Sequence, residues 1–358
     1  MAAMGAAIKD TPSLHPHPIF PTCFYPMSHY PTLLSSDIRT AAAACGFAAC
    51  GIAPAAPISD ERAAERAAAQ RRGFFAGMAY LERNEEKRLD PRQLVEGAQT
   101  VISVAWPYPP RPADAPPIAA YALVPDYHET LKAALRNLGA RILGEAWGES
   151  RCFVDTAPVD ERYWAWRAGV GFIGRSGMLI IPGLGSRFFL GEIITPAAAD
   201  AYDAPLTTDI RSHERCGACR RCMEACPGCA LTDEGLDARR CLSYLTIEHR
   251  GPLPAEAAGW MHAAPGTPLF YGCDRCTEVC PHNRQRLSQT PAHGGASAAA
   301  HDYAPAAYAH AGSAPDFWQQ LSPEAYREMF RGSAVKRAKY EGLMRNIAAF
   351  YQQEKGEE

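Results

Sequence analysis

Cys216-Gly-Ala-Cys219-Arg-Arg-Cys222-Met-Glu-Ala-Cys226-Pro227 is the stretch from which this chain is best read. Its spacing is the ferredoxin-type run for a [4Fe–4S] cluster: three thiolates wrap one cubane and the fourth reaches a second. A two-cluster module needs a second set of thiols, and Cys273-Asp-Arg-Cys276-Thr-Glu-Val-Cys280-Pro281 supplies it. That run lacks only a first member, a place that Cys241 can fill from upstream. Pseudo-symmetry then assigns Cys216, Cys219, Cys222 and Cys280 to one cluster, and Cys226, Cys241, Cys273 and Cys276 to the other. Zinc also takes Cys-x2-Cys pairs, but usually as two widely separated pairs. A repeated run ending in Cys-Pro favours iron–sulfur. Cys229 has no place in this scheme and, with the scattered Cys23, Cys45, Cys50 and Cys152, reads as a small packing residue.

Thirteen cysteines in 358 residues fall well short of the ~8–10% of a disulfide-built secreted domain. Their crowding into one segment indicates redox or metal chemistry in a reducing compartment. Hydrophobic residues make up 47%, enough for a substantial core, and the length suggests about two domains. A net charge of −3 excludes a globally basic nucleic-acid binder but leaves room for a local patch. No stretch approaches the ~18–20 apolar residues of a membrane span. The N-terminus has neither the order of a secretory signal nor a twin arginine. A soluble cytoplasmic protein is the expectation.

Residues 1–34, rich in Pro and His, read as a flexible leader, within which Met27 offers an alternative start. Residues 35–196 form a unit of mixed helices and strands: a helix over 60–70, a buried strand over 100–105, a proline-rich loop over 106–117 and a strand over 151–154. A helix over 126–147 would place Leu131, Ala134, Leu138, Ile142 and Leu143 on one face. A composition shift over 196–215 opens the Cys-rich unit, 197–288. Residues 289–315 read as a low-complexity linker whose His293, His301 and His310 are solvent-facing filler. A small helical unit, 316–358, follows, with Ser322 as N-cap and Pro323 in the first turn.

Two clusters move electrons singly, so another site must use them, and residues 154–195 are the place to look. Val154-Asp155-Thr-Ala-Pro158 ends a strand and precedes a helix over 159–168, which makes helix capping the ordinary reading of Asp155. The loop Gly169-Val-Gly171-Phe-Ile-Gly174-Arg-Ser-Gly177 is dense in glycine and suits either a turn or a loop closing on a phosphate-bearing ligand. Residues 178–181 and 188–195, separated by Pro182-Gly-Leu-Gly185-Ser186, read as a hairpin.

Taken together these segments resemble the epoxyqueuosine reductase family, cobalamin-dependent iron–sulfur enzymes that complete queuosine in tRNA. The resemblance is carried by Arg88-Leu-Asp-Pro91, Asp126-Tyr-His128, Val154-Asp155-Thr-Ala-Pro158, Ala168-Gly-Val-Gly-Phe-Ile-Gly174 and Phe188-Phe-Leu-Gly-Glu-Ile193. It continues through the first cysteine run, Cys241-Leu-Ser-Tyr-Leu-Thr-Ile-Glu248, Tyr271-Gly-Cys-Asp274 and Phe330-Arg-Gly-Ser-Ala-Val-Lys-Arg337. The chain departs from the family at Gly174-Arg175-Ser176, where Gly-Lys-Asn is common, and at Cys226-Pro-Gly-Cys229, where Cys-Pro-Thr-Gly is common.

The resemblance implies an α+β fold: an N-terminal α/β cobalamin domain, a ferredoxin-like unit with two [4Fe–4S] clusters and a small HEAT-like helical unit. It implies that Asp155 donates a proton and that Arg88, Leu179, Leu190, Ser243 and Asp274 lie with Asp155 against cobalamin. The implied reaction is a two-electron reduction of the epoxide of epoxyqueuosine in the tRNA anticodon loop. A donor neutral near pH 7 requires an aspartate with a raised pKa, so Asp155 is expected to be buried. Arg327, Arg331, Lys336, Arg337, Lys339 and Arg345 would touch tRNA; without the resemblance they read as a solvated helix face. An external electron donor and a monomer without membrane contact complete the expectation. The alternatives are a paralogous cobalamin and iron–sulfur reductase on another substrate, a reductive dehalogenase, and a two-cluster electron carrier.

Overall fold

The computed structural model describes residues 30–284 and 314–356, with residues 306, 308, 309, 311 and 312 between them. Its elements run α1 (Ser35–Ala44), β1 (Ala49–Pro54), α2 (Asp60–Arg71), α3 (Glu85–Leu89), β2 (Thr100–Pro107), α4 (Tyr127–Leu143), β3 (Arg151–Phe153) and α5 (Glu161–Arg167). The short strands β4 (Phe172–Ile173) and β5 (Leu179–Ile180) follow, then β6 (Phe188–Thr195). The Cys-rich part holds α6 (Arg221–Glu224), β7 (Leu231–Thr232), β8 (Gly235–Leu236), α7 (Leu242–Ile247), α8 (Ala257–His262), α9 (Arg275–Glu278) and α10 (Pro281–Arg284). Helices α11 (Pro315–Gln319), α12 (Pro323–Met329) and α13 (Lys339–Gly356) close the chain.

Strand β2 is the centre of a four-stranded sheet of order β1-β2-β6-β3, antiparallel throughout, with Val101 opposite both Ala53 and Ile194. Every residue of β2 is buried because both faces of the sheet are covered. Ile102 and Val104 pack with Leu131, Leu135 and Leu138 of α4 and Ile38 of α1. Val101 and Ala105, alternating to the other face, pack with Trp164 and Trp166 of α5. The resulting architecture is α+β, with the sheet sandwiched between helical layers.

Several sequence expectations are corrected here. Residues 178–181 and 188–195 form no hairpin with each other. Instead β5 pairs with β4 across the Gly174–Gly177 turn, and eight-residue β6 is taken by β2 and β3. The long strand gains more ladder bonds from the central sheet than two residues of β5 could offer. The proline-rich stretch begins inside β2, which runs to Pro107. The α4 stripe is turned slightly from the expected one, with Leu135 buried and Ala134 and Ile142 only half-buried.

Several contacts cross the expected unit boundaries. Leu33, in the expected leader, is buried and pairs with Ala199. Asp203 accepts the Ile52 N–H at 2.9 Å, so residues 197–204 belong with the sheet. Ala306 and Tyr308, in the expected linker, are buried, while His293, His301 and His310 lie outside the described residues, as does Cys23. The C-terminal helices share one core with the Cys-rich part: Trp318, Phe330 and Phe350 pack with Phe270, Met261 and Leu242. Ser322 caps α12 as expected, accepting from the Ala325 N–H at 3.1 Å.

Candidate active site

The two cysteine runs fold alike. Each carries a four-residue helix, α6 or α9, that holds one of its thiols and leads to a Cys-Pro step. The two helices pack against each other. The eight thiols fall into two neighbourhoods. Burial first, then the charges of Cys216 and Cys280, push the Cys222 thiol up to about 11. Cys280 in turn feels Cys216 and Cys219. In the other neighbourhood, burial and then the charges of Cys273 and Cys241 raise Cys276, and burial together with Cys226 raises Cys241. Among the leading influences on Cys222, Cys241, Cys273, Cys276 and Cys280, none is a thiol of the other neighbourhood.

Backbone N–H groups already point at the sulfurs, as the Ala230 N–H does at Cys226 Sγ, 3.2 Å. The backbone about residues 282–283 stabilises the Cys280 thiolate in the same way. Two sets of four thiols with amide donors suit two thiolate-ligated cubanes. Among the described residues no three His, Cys, Asp or Glu side chains are arranged around a single-ion site. Cys229 is exposed, with φ 49°, and so is not the packing residue expected.

Beside the first thiol neighbourhood lies an open cavity lined by Tyr127, Asp155, Glu161, Arg162, Leu179 and Leu190, among others. The β4–β5 ribbon contributes Leu179 to the lining and its turn approaches Cys216, while Arg162 of the lining bears electrostatically on Cys241 of the second set. Gly174 is needed at that turn because a Cβ there would meet Ile180 Cδ1 at 2.5 Å and Cys216 Sγ at 3.6 Å. The cavity brings together Asp155, Leu179 and Leu190 of the expected cofactor contacts. Arg88, Ser243 and Asp274 are not in its lining. The buried Arg88 guanidinium reaches the Val159 carbonyl at 3.3 Å and leaves Nε without a partner. The Asp274 carboxylate accepts the Ala120 N–H at 2.7 Å, and burial pushes its pKa up to about 6. Ser243 sits in α7, its carbonyl turned to the Thr246 hydroxyl.

Asp155 departs from expectation in two ways. It caps no helix: its φ is 52°, and α5 begins after Asp160. Nor is it a buried neutral acid, for its side chain is 58% exposed. Partial desolvation raises its pKa, but hydrogen bonds from His128 and Tyr127 outweigh that and hold the carboxyl below the usual aspartate range. The Tyr127 hydroxyl donates to Oδ2 at 2.7 Å, and His128 Nε2 lies 3.3 Å from the same atom. The neighbouring Glu161 is a raised carboxyl, pushed to about 8 by burial and by the Asp155 charge. Its Oε1 accepts the Asp155 N–H. The sequence reading missed Glu161, although Asp155 and Glu161 flanking one turn was a visible signal.

Behind Glu161, Glu192 on β6 is fully buried. One oxygen accepts from Ser103 Oγ at 3.2 Å and the other has no partner. Burial, then the Glu161 charge, hold its pKa well above normal. The unfolded chain releases this proton near pH ~4.3 and the folded chain keeps it. Glu192 therefore costs stability increasingly as pH rises above ~4.3 until its folded-state pKa is reached. Glu192→Gln is expected to raise Tm at pH 8 and leave it nearly unchanged at pH 4.5. Equal shifts at both pH values in thermal denaturation would contradict this.

Comparison with known proteins follows the same lines. Residues 88–156 match the family model "Epoxyqueuosine reductase QueG, DUF1730", and residues 215–283 match "4Fe-4S double cluster binding domain". An epoxyqueuosine reductase of Leadbetterella byssophila is 37% identical over 331 residues, covering 88% of this chain and 97% of that protein. The chain belongs to the epoxyqueuosine reductase family. Its members include a solved epoxyqueuosine reductase bound to an epoxyqueuosine-modified tRNA-Tyr stem loop, 26% identical with a TM-score of 0.71, covering 88% of this chain and 80% of that one. A Bacillus subtilis epoxyqueuosine reductase, captured with its catalytic aspartate loop swung out of the active site, matches at 26% identity and a TM-score of 0.73 over the same shares. Epoxyqueuosine reductases are oxidoreductases, which sets aside the electron-carrier reading. Among the described residues no helix is long and apolar enough to cross a membrane.

Proposed function

We propose that this chain reduces the epoxide of epoxyqueuosine in a tRNA anticodon loop to the alkene of queuosine. The observation that carries this reading is the Asp155 cavity, whose lining shares the β4–β5 ribbon with the Gly174 turn packed towards Cys216. Bound [4Fe–4S] clusters would supply single electrons, and bound cobalamin would supply the reducing chemistry that the strained ring requires. Cys216, Cys219, Cys222 and Cys280 would hold one cluster, and Cys226, Cys241, Cys273 and Cys276 the other. Asp155, Leu179 and Leu190 of the cavity lining would hold the cobalamin, and Arg88, Ser243 and Asp274, outside that lining, are its further candidate contacts. The orphaned Nε of Arg88 is a donor that a polar corrin substituent could satisfy.

Tyr127 stacks on Phe189, ring centroids 4.1 Å apart and planes within 6°, giving the cavity a flat aromatic wall. Asp155 would deliver the proton that the departing oxygen needs. An external donor would provide electrons to a monomer working in the cytoplasm.

The expected six-residue basic run divides in two. Arg345 is spent on the carbonyls of Leu245, His249 and Gly251, and Arg327 pairs with Glu324. Arg331, Lys336 and Lys339 are exposed, as is Arg337, which pairs with Glu248 at 2.7 Å. Arg337 lies over the Tyr80 ring at 5.4 Å, and Lys336 bears electrostatically on Asp126, next to Tyr127. Both residues are thus in electrostatic reach of Asp126 or Asp155, which supports a role in receiving a splayed anticodon base. The double variant Lys336→Ala, Arg337→Ala is expected to weaken stem-loop binding and lower the slope of log K against log salt by about 1 to 2. An unaltered slope would remove these residues from the RNA path. The reading as a whole is tested by incubating the cluster- and cobalamin-loaded protein with a reductant and epoxyqueuosine stem loop. Nucleoside mass spectrometry should find queuosine; unchanged epoxyqueuosine would overturn the assignment.

A further inference from the structure

Asp126, Tyr127 and His128 open α4, and the proposed function so far uses only the tyrosine. Their geometry is specific. Asp126 is the N-cap, its Oδ1 accepting the His128 backbone N–H at 3.1 Å. The same oxygen lies 2.7 Å from His128 Nδ1, and His128 Nε2 lies 3.3 Å from Asp155 Oδ2. One imidazole therefore bridges two carboxylates, one from its own helix start and one from the turn after β3. Tyr127 stacks on the ring at 4.2 Å and donates to the same Asp155 oxygen that His128 faces. The side chain of His128 is 28% exposed, so one edge of the ring remains within reach of water.

We propose that His128 is the proton store of the reaction, a positioning and relay residue that protonates Asp155 across the Nε2–Oδ2 contact so that Asp155 can protonate the departing oxygen. The inference rests on the epoxide-reduction reading and deepens it. It also resolves what the Asp155 geometry leaves open. An exposed carboxylate held ionised by two hydrogen-bond donors cannot itself carry the proton at rest, but it can conduct one.

The step balances. Removing the epoxide oxygen breaks two C–O bonds, forms one C=C bond and releases water, consuming two electrons and two protons. The electrons come from the reductant that the proposed activity already requires. For each proton, the Nε2–H bond of His128 breaks as an O–H bond forms on Asp155. That O–H then breaks as the leaving oxygen gains its proton. His128 keeps its Nδ1 proton on Asp126 throughout, which fixes the tautomer, and regains the Nε2 proton from water before the second transfer.

The groups around the ring decide its charge. Hydrogen bonds to Asp126 and then Asp155 raise it, burial opposes them, and the net effect pushes His128 up to about 9. From α5, Arg162 acts on Asp155 and Glu161 stands behind it. From the C-terminal segment, Lys336 acts on Asp126 and Arg337 is influenced by Asp155. Tyr80 at the mouth also feels Asp155. On the β6 side the neighbour across Tyr127 is the uncharged Phe189.

The test uses the enzyme loaded with clusters and cobalamin, single-turnover and steady-state rates from pH 6 to 10, and the variants His128→Gln, Asp126→Asn and Asp155→Asn. Wild-type kcat is expected to fall as pH rises through about 9. His128→Gln, which retains the backbone cap, should lose kcat about tenfold or more at neutral pH, with little change in KM, and should lack that alkaline limb. Asp126→Asn should shift the limb to lower pH, because the imidazolium loses one of its two carboxylates. Independently of turnover, the His128 ring resonances should titrate above the ordinary histidine range and move down in both Asp variants. His128→Gln with wild-type kcat and an unaltered pH profile would overturn the relay, as would a His128 resonance titrating near ~6.5. An Asp155→Asn enzyme that still turns over would defeat the donor reading itself. An inactive Asp155→Asn beside an unaffected His128→Gln would defeat the relay alone.

Discussion

Asp155→Asn is expected to lower kcat by about 10²–10⁴, the usual contribution of a positioned general acid, while both clusters and cobalamin remain bound. The amide is nearly isosteric and can still accept from the Tyr127 hydroxyl, now 2.7 Å away, so the turn and the cavity should persist. What it cannot do is take up a proton and release it. The left-handed backbone at residue 155 favours asparagine over most alternatives, which makes this a cleaner substitution than alanine. Iron content and the visible spectrum of the bound corrin report on the cofactors; single-turnover conversion of the stem loop reports on the chemistry. Undiminished conversion would remove Asp155 from the acid role.

The second large effect concerns the crossed thiol sets. Cys276→Ser is expected to reduce iron from about eight to about four atoms per chain, and to abolish multiple-turnover activity. Cys226→Ser should damage the same cluster, although Cys226 belongs to the other run by sequence. Cys280→Ser should match Cys222→Ser in the same crossed fashion. Electron paramagnetic resonance of the reduced proteins separates the two signals and can be compared across the four variants. Loss that followed the runs, with Cys226→Ser behaving like Cys222→Ser, would refute the assignment. Cys229→Ser, at an exposed left-handed position, should leave the iron count unchanged.

The sequence was most informative where the signal is local. The Ser322 cap of α12 and the apolar run of β2 depend on neighbours a few residues away, and both stand in the structure as expected. Strand partners depend on distant competition, which is why the hairpin was misread: nothing in residues 178–195 announces that β2 and β3 will claim β6. The charge state of Asp155 was illegible for the same reason. It is set by Tyr127 and His128, 28 and 27 residues earlier in the chain, whereas the donor role implied by the resemblance pointed to burial and neutrality. Tyr308 was hidden by its surroundings, since an aromatic anchor in an Ala- and His-rich stretch looks like filler until its packing partners are known.

Tyr308 deserves a last consequence. Its hydroxyl is bonded to the Ala122 carbonyl and to Ser333 Oγ, the latter at 2.6 Å, and the Gly332 carbonyl receives the Asp126 N–H at 2.8 Å. The tail of the polypeptide thus braces the first turn of α4 from behind. A premature stop codon between residues 285 and 332 would delete that brace, so such nonsense alleles should behave as nulls even though they spare all eight thiols of the two sets and every residue lining the cavity.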